Sequence, residues 1–168
     1  KIREELNDRN GMGVNLSNIG IVYWYKSNYD RALDMFKKAN KEFDKINSIK
    51  DIANNYNNIG SVFIQRSDDD QALEYYMKAV SVREMIGDMH GLATTLNNIG
   101  IVKSNKELYT AALEYHKKSL SISKDIGSKR GISRSLGNLG NVYADTGNIN
   151  KALESSNEAL KTLEKLKD

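Results

Sequence analysis

Asn57-Asn58-Ile59-Gly60 decides the fold, because it returns at a fixed interval along the chain. Forty residues earlier the sequence reads Ser17-Asn18-Ile19-Gly20, forty later Asn97-Asn98-Ile99-Gly100, and forty beyond that Gly137-Asn138-Leu139-Gly140. A second anchor keeps step with the first: Ala32-Leu33, Ala72-Leu73, Ala112-Leu113 and Ala152-Leu153. An ungapped period of this length marks a repeat architecture in which each unit is one supersecondary element and neighbours share a core.

Each repeat predicts two helices. Ile52, Tyr56, Ile59 and Phe63 fall at helical spacing, and Ala72, Tyr76, Ala79, Arg83 and Ile86 resume it after a break. The chain contains no Pro, which suits uninterrupted helices. Asp30, Asp70, Thr110 and Asn150 are expected to cap the second helices. At the other break, Asn7, Asn47, Gly87 and Gly127 suit a left-handed residue, followed by Asp8, Ser48, Asp88 and Ser128 as caps. The predicted fold is all-α, an α-solenoid of antiparallel helix hairpins. Gly20, Gly60, Gly100 and Gly140 fall mid-helix, where Gly costs about 1 kcal/mol relative to Ala. Close approach of the paired helices at Ala32, Ala72, Ala112 and Ala152 is the expected compensation.

Composition narrows the function. In 168 residues, 39% are hydrophobic and 28% charged, ordinary for a folded chain. The net charge of +3 is dispersed among acidic residues, as in Glu114-Tyr115-His116-Lys117-Lys118, and predicts no nucleic-acid patch. The longest apolar run, Ile19 to Tyr25, is far short of the ~20 residues that span a bilayer. No membrane insertion and no leader are expected, and the setting is read as cytoplasmic rather than periplasmic. With no Cys, thiolate chemistry is excluded. His90 and His116 are too far apart for a helical ligand pair, and His116 sits in a core column as a structural residue. Asp68-Asp69-Asp70 lacks the spaced ligands of a calcium loop. We expect no catalytic residues, no metal and no cofactor.

With the mid-helix Gly numbered eight in each repeat, further columns appear. Position four holds Leu16, Tyr56, Leu96 and Leu136; position eleven holds Tyr23, Phe63 and Tyr143. Position twenty-four holds Phe36 and Tyr76, and position twenty-seven Ala39, Ala79, Ser119 and Ala159. This pattern resembles the tetratricopeptide repeat, whose fold is a right-handed superhelix of helix hairpins. The period exceeds the roughly thirty-four residues usual for that family. The longer form resembles the repeats of kinesin light chain, of the Leu-Gly-Asn spindle-orientation adaptor and of bacterial sensor kinases and transcription regulators. Lys103, His116 and Ser156 depart from the aromatic columns and predict looser packing in the later repeats.

The expected organisation is a single array over residues 1–168. Residues 1–7 read as the end of a preceding second helix, since Ile2 and Leu6 align with Val82 and Ile86. Repeats follow at 8–47, 48–87, 88–127 and 128–168. Leu153, Leu160, Leu163 and Leu166 have no following helix to cover them, so a fragment of a longer protein is expected, with self-association through the uncapped last helix.

The resemblance also implies a site. In tetratricopeptide arrays, first-helix positions two, five, six, nine, twelve and thirteen line the concave surface, and Asn at six contacts a ligand's main chain. The implied partner-binding residues are Asn18, Ile21, Trp24 and Tyr25; Asn54, Asn57, Asn58, Ser61 and Gln65; Thr94, Asn97, Asn98, Ile101 and Asn105; and Arg134, Asn138 and Asn141. Trp24, Tyr25 and Ile21 would form an apolar pocket. An amide offers both donor and acceptor to a peptide group, so an Asn column suits main-chain recognition. Inter-repeat hydrogen bonding would also explain that column. The functional expectation is a protein–protein interaction scaffold binding a peptide or protein segment. The alternative is the regulatory or sensory input domain of a larger signalling protein, a histidine kinase or transcription regulator.

Overall fold

The computed structural model describes residues 2–164, with side chains from residue 8 onward, and these form eight α-helices and no strand. They are α1 (Ile2–Tyr25), α2 (Tyr29–Lys45), α3 (Ile49–Gln65), α4 (Asp69–Ile86), α5 (Met89–Asn105), α6 (Tyr109–Asp125), α7 (Lys129–Asp145) and α8 (Ile149–Glu164). Two compact units divide at Ile86 and Gly87, the first holding α1–α4 and the second α5–α8. In the first, α1 pairs with α2 and α3 with α4, while α2 also packs on α3. In the second, α5 pairs with α6, α7 with α8, and α6 packs on α7.

The sequence pattern fails at the first boundary. α1 is a single helix from Ile2 to Tyr25, where a turn was expected at Asn7–Asp8. The side chains of Ile2 and Leu6, and Leu166, lie outside the described residues.

The inter-helix turns have one geometry. Ser27 N–H donates to Trp24 O at 2.9 Å and Asn28 N–H to Tyr23 O at 2.9 Å, the paired bonds of a Schellman stop. Ser48 to Phe43, Asp68 to Phe63, Leu108 to Lys103, Ser128 to Ser123 and Asn148 to Tyr143 repeat the longer bond. The left-handed residue these turns require is Asn47, Gly87 and Gly127 at the breaks where it was expected. At the breaks inside the hairpins it is Ser27, Ser67, Glu107 and Gly147, which the sequence did not mark. Because that stop uses only three residues, the second helices begin two residues earlier than expected. Their caps are Asn28, Asp68 and Asn148, whose side chains accept from the N–H of Arg31, Gln71 and Lys151 at 3.3, 3.1 and 3.3 Å. Leu108 stands in the fourth cap without a side-chain bond. Asp30, Asp70, Thr110 and Asn150 therefore lie within the first turns instead, where the acids still favour the helix N-terminus.

Glu107 holds φ at 57°, a conformation that costs a residue with a Cβ roughly 1–2 kcal/mol. Glu107→Gly is therefore expected to raise the melting temperature, as a thermal scan of the two proteins would register.

The recurrent glycines face a different partner from the one expected. A Cβ on Gly20 would lie 2.8 Å from the Phe36 ring, and one on Gly60 2.6 Å from the Tyr76 ring. On Gly100 it would collide with His116, and on Gly140 it would lie 2.8 Å from Ser156 Oγ. The glycine thus makes room first for the residue at position twenty-four, and at Gly140 the backbone oxygen of Ala152 would also lie 3.4 Å from the Cβ. The alanines are still core: Ala32, Ala72 and Ala112 are fully buried.

Candidate functional site

In the first unit the last turns of α1 meet the middle of α3 over α2. Ile21, Trp24 and Tyr25 from α1, Asn58 and Ser61 from α3, and Phe36 from α2 line an open cleft of about 200 Å³. Phe36 reaches its floor because Gly20 has no side chain to obstruct the ring. The rings of Trp24 and Tyr25 are 4.9 Å apart and tilted by 58°, with Tyr25 76% exposed. Trp24 Nε1 is buried and has no hydrogen-bond partner among the described residues. An unpaired buried donor forfeits its hydration, a penalty of about 1–3 kcal/mol that an incoming acceptor would relieve. Ser61 Oγ donates to Asn57 O at 3.1 Å and accepts from Tyr76 Oη at 3.1 Å. Burial pushes the Tyr76 hydroxyl up to about 12, so it remains a donor at neutral pH.

The expected apolar pocket of Ile21, Trp24 and Tyr25 is thus present, together with Asn58 and Ser61. Phe36 was not anticipated; the Gly20 column held the signal for it. Asn18 lies apart from this cleft, grouped with Asn15, Ile19 and Val22 on another side of α1. Asn54 is exposed, but its Oδ1 accepts from Arg83 Nη2 at 2.9 Å, which ties it to a buried cation. Gln65 is exposed and Asn57 half-buried.

In the second unit the expected residues separate into two sets. Asn98 and Thr94 are half-buried, and Ile101, Asn105, Arg134 and Asn141 are exposed. Thr94 Oγ1 donates to His90 O at 3.1 Å. Asn97, in contrast, is only 2% exposed and is withdrawn from any surface. Its Oδ1 lies 2.9 Å from His116 Nδ1, and its Nδ2 donates to Ser135 Oγ at 2.8 Å. Ser135 and Ser119 are 3.0 Å apart, and Ser119 Oγ donates to Ala93 O at 2.7 Å. The chain of bonds has one consistent direction: His116 donates to Asn97, Asn97 to Ser135, Ser135 to Ser119, and Ser119 to the backbone. Asn138 adds a long 3.4 Å bond from its Nδ2 to Asn97 Oδ1. Asn97 is therefore a structural amide and Asn138 partly one, because a helix position that faces a buried imidazole must satisfy it.

The same network packs one of the residues expected to loosen the later repeats, His116, firmly in place. His116 is 1% exposed with its Nδ1 bonded to Asn97, a polar replacement for the aromatic ring; Ser156 is exposed.

Ser104 Oγ is a further buried atom with no partner among the described residues. It occupies position twelve of its repeat, the column that holds Trp24 in the first. Among the described residues no group of three or more His, Cys, Asp or Glu is placed to hold a metal ion, and no helix is long and apolar enough to cross a membrane.

Comparison with known proteins agrees with this geometry. The tetratricopeptide repeat profile matches residues 51–125 and 91–165, more than half of the chain. Among solved structures, BtubC (BKLC) from P. vanneervenii superposes with a TM-score of 0.80 at 20% identity, covering 92% of this chain and 64% of that one. Aspartyl phosphate phosphatase F from Bacillus subtilis gives 0.88 at 17% identity, covering 95% and 42%. A Rap protein complexed with competence and sporulation factor gives 0.84 at 16% identity, covering 98% and 45%. At these identities the likeness is one of fold, and the chain spans less than two thirds of each structure. Among curated proteins none matches.

Proposed function

Since the chain belongs to the tetratricopeptide repeat family, we propose that it is a non-catalytic scaffold whose first-helix faces bind a segment of another protein. The cleft beside Trp24 supports this reading most directly. It joins an apolar wall and an exposed aromatic edge in one small opening, and Trp24, one of its lining residues, carries a buried N–H with no partner among the described residues. An apolar side chain of the partner would enter between Ile21, Trp24 and Phe36. A partner carbonyl would accept from Trp24 Nε1, and the Asn58 amide would meet the adjoining peptide group. In the second unit Asn98, Ile101, Asn105, Arg134 and Asn141 form the corresponding face, with Ser104 Oγ as its unsatisfied donor.

The expected consequence is a separation of binding from stability. Asn58→Ala and Asn98→Ala should each weaken binding of a peptide selected from a displayed random library by roughly 0.5–1.5 kcal/mol, the net worth of a hydrogen bond. Trp24→Ala should cost ~2 kcal/mol, as buried aromatic anchors do. Melting temperatures of the Asn variants should stay close to that of the parent, because Ala is the better helix former. Unchanged affinity with a large fall in melting temperature would make the Asn column structural throughout.

A second reading adds regulatory context. The Rap protein above is described in complex with competence and sporulation factor, and this chain spans 45% of it. That relation supports reading the array as an input segment of a larger signalling protein. Selected peptides that bind with an affinity set by one terminus would favour this reading; indifference to the termini would favour a general scaffold.

A further inference from the structure

The side chains around the cleft beside Trp24 define the kind of anchor it can hold. Its lining residues, Ile21, Trp24, Tyr25, Phe36, Asn58 and Ser61, carry no formal charge. Lys26, Arg31 and Arg66, close to the cleft along the chain, are engaged elsewhere. Lys26 borders a separate groove on α1 with Asn15 and Asn18, Arg31 Cζ lies 5.5 Å from the centroid of the Tyr23 ring, and Arg66 Nη1 donates to Asp30 Oδ1 at 2.8 Å. The acids are likewise taken, Asp30 by that bond and Asp34 by Lys38 Nζ at 2.8 Å. A carboxylate or ammonium entering the cleft would shed its hydration without gaining an opposite charge, an exchange that disfavours it.

The floor is apolar for a reason visible in two columns. Positions nine and twenty-four of the second hairpin hold Ser61 and Tyr76, joined by a hydrogen bond; in the first they hold Ile21 and Phe36, whose side chains have no polar atom. Ser61 itself gives its proton to Asn57 O and a lone pair to Tyr76 Oη, so it has no donor left to offer. Asn58 remains, a neutral amide suited to the peptide groups that flank an anchor. Above the floor, the Trp24 and Tyr25 rings are inclined by 58°. Rings so tilted offer a third ring an edge-to-face contact with one and an offset contact with the other, and a small aliphatic group would leave those contacts unmade. The corresponding columns of the second unit hold Ile101, Ser104, Asn105 and His116, so the aromatic wall belongs to the first unit.

We infer that this cleft holds one uncharged aromatic side chain of the partner segment and turns away acidic and basic side chains and a free C-terminal carboxylate. The inference rests on the scaffold reading above and narrows its anchor from any apolar side chain to a ring. Specificity then comes from two sources: the tilted rings reward a planar occupant, and the missing counter-charge penalises an ionised one.

The test selects displayed random peptides on the parent chain and sorts them by dependence on the cleft. Dependence is scored as lost affinity on Tyr25→Ala, whose exposed side chain can be removed without cost to the fold, and on Trp24→Ala once circular dichroism shows it folded. Cleft-dependent peptides should share a Phe, Tyr or Trp at one position. Alanine there should weaken binding roughly thirtyfold, as loss of a buried anchor does, and Glu or Lys at least as much. Tyr25→Ala should cost these peptides roughly two- to tenfold, and amidating their C-terminus should change nothing. Cleft-dependent peptides anchored by a charged residue, by a C-terminal carboxylate, or equally well by an aliphatic side chain would overturn the inference and leave the scaffold reading standing. Peptides that bind without loss on either variant would remove the cleft from the scaffold reading and this inference with it, and a selection that yields no peptide would overturn both.

Discussion

Gly60→Leu is expected to unfold the first unit or bring its melting temperature down by many degrees. A Cβ at this position would lie 2.6 Å from Tyr76 Cε1 and 2.7 Å from Cδ1, well inside any contact that real side chains tolerate. The ring cannot move aside. Tyr76 is 2% exposed and its hydroxyl is held by Ser61 at 3.1 Å. Overpacking of this kind costs about 1–3 kcal/mol, and the remaining leucine carbons add to it. Better helix propensity returns at most ~1 kcal/mol, so strain wins. The comparison that makes this specific is Gly137, also helical, where a Cβ would meet nothing within 4 Å. Gly137→Ala should raise stability by up to ~1 kcal/mol, whereas Gly60→Ala should lower it. At Gly140 the facing atom is the small hydroxyl of Ser156, so Gly140→Ala should be milder than Gly60→Ala. Chemical denaturation of the three alanine variants gives the ranking. Equal effects at all three positions would show that the ring contact does not govern the column.

The second large effect is acid sensitivity centred on His116. Burial holds its imidazole down to about 4 against an ordinary 6.5, and Nδ1–H donates to Asn97. Between these values the unfolded chain binds more protons than the folded one, so stability rises with pH across the window. The contribution is complete above pH 6.5 and is lost progressively as pH falls from 6.5 through 4. At about 1.36 kcal/mol per pH unit the full loss approaches ~3 kcal/mol, with roughly 2 kcal/mol gone by pH 5. His116→Phe should remove most of this dependence, because a phenyl ring fits the column that holds Phe36 and Tyr76. Its stability at pH 7 should be lower than the parent's, since Asn97 Oδ1 keeps only the long bond from Asn138. Denaturation midpoints of both proteins between pH 7 and 5 test this; parallel curves would mean that His116 does not carry the acid response.

The repeat was legible because its signals are local and periodic. The helix pairs and the left-handed Asn47, Gly87 and Gly127 follow from residue types whose backbone preferences are strong. The turns inside the hairpins were placed two residues late because Ser27, Ser67 and Glu107 have no intrinsic claim on positive φ; the short connection imposes it. The Trp24 pocket could be assembled from the family resemblance. The fate of Asn97 could not be, since its half-buried neighbour Asn98 has the same chemistry and it is Asn97 that faces His116 and Ser135. The sequence displays an amide column, but only the packed helices distinguish an amide that binds a partner from one that satisfies a buried imidazole.

The most direct test of the scaffold reading is amide and indole chemical-shift mapping of the ¹⁵N-labelled chain titrated with a library-selected peptide. The account predicts that the Trp24 indole N–H moves strongly downfield on gaining an acceptor, with the largest backbone and side-chain changes at Ile21, Tyr25, Asn58 and Ser61. Saturable binding that leaves the Trp24 indole resonance in place and shifts residues of α2, α4, α6 or α8 instead would contradict it.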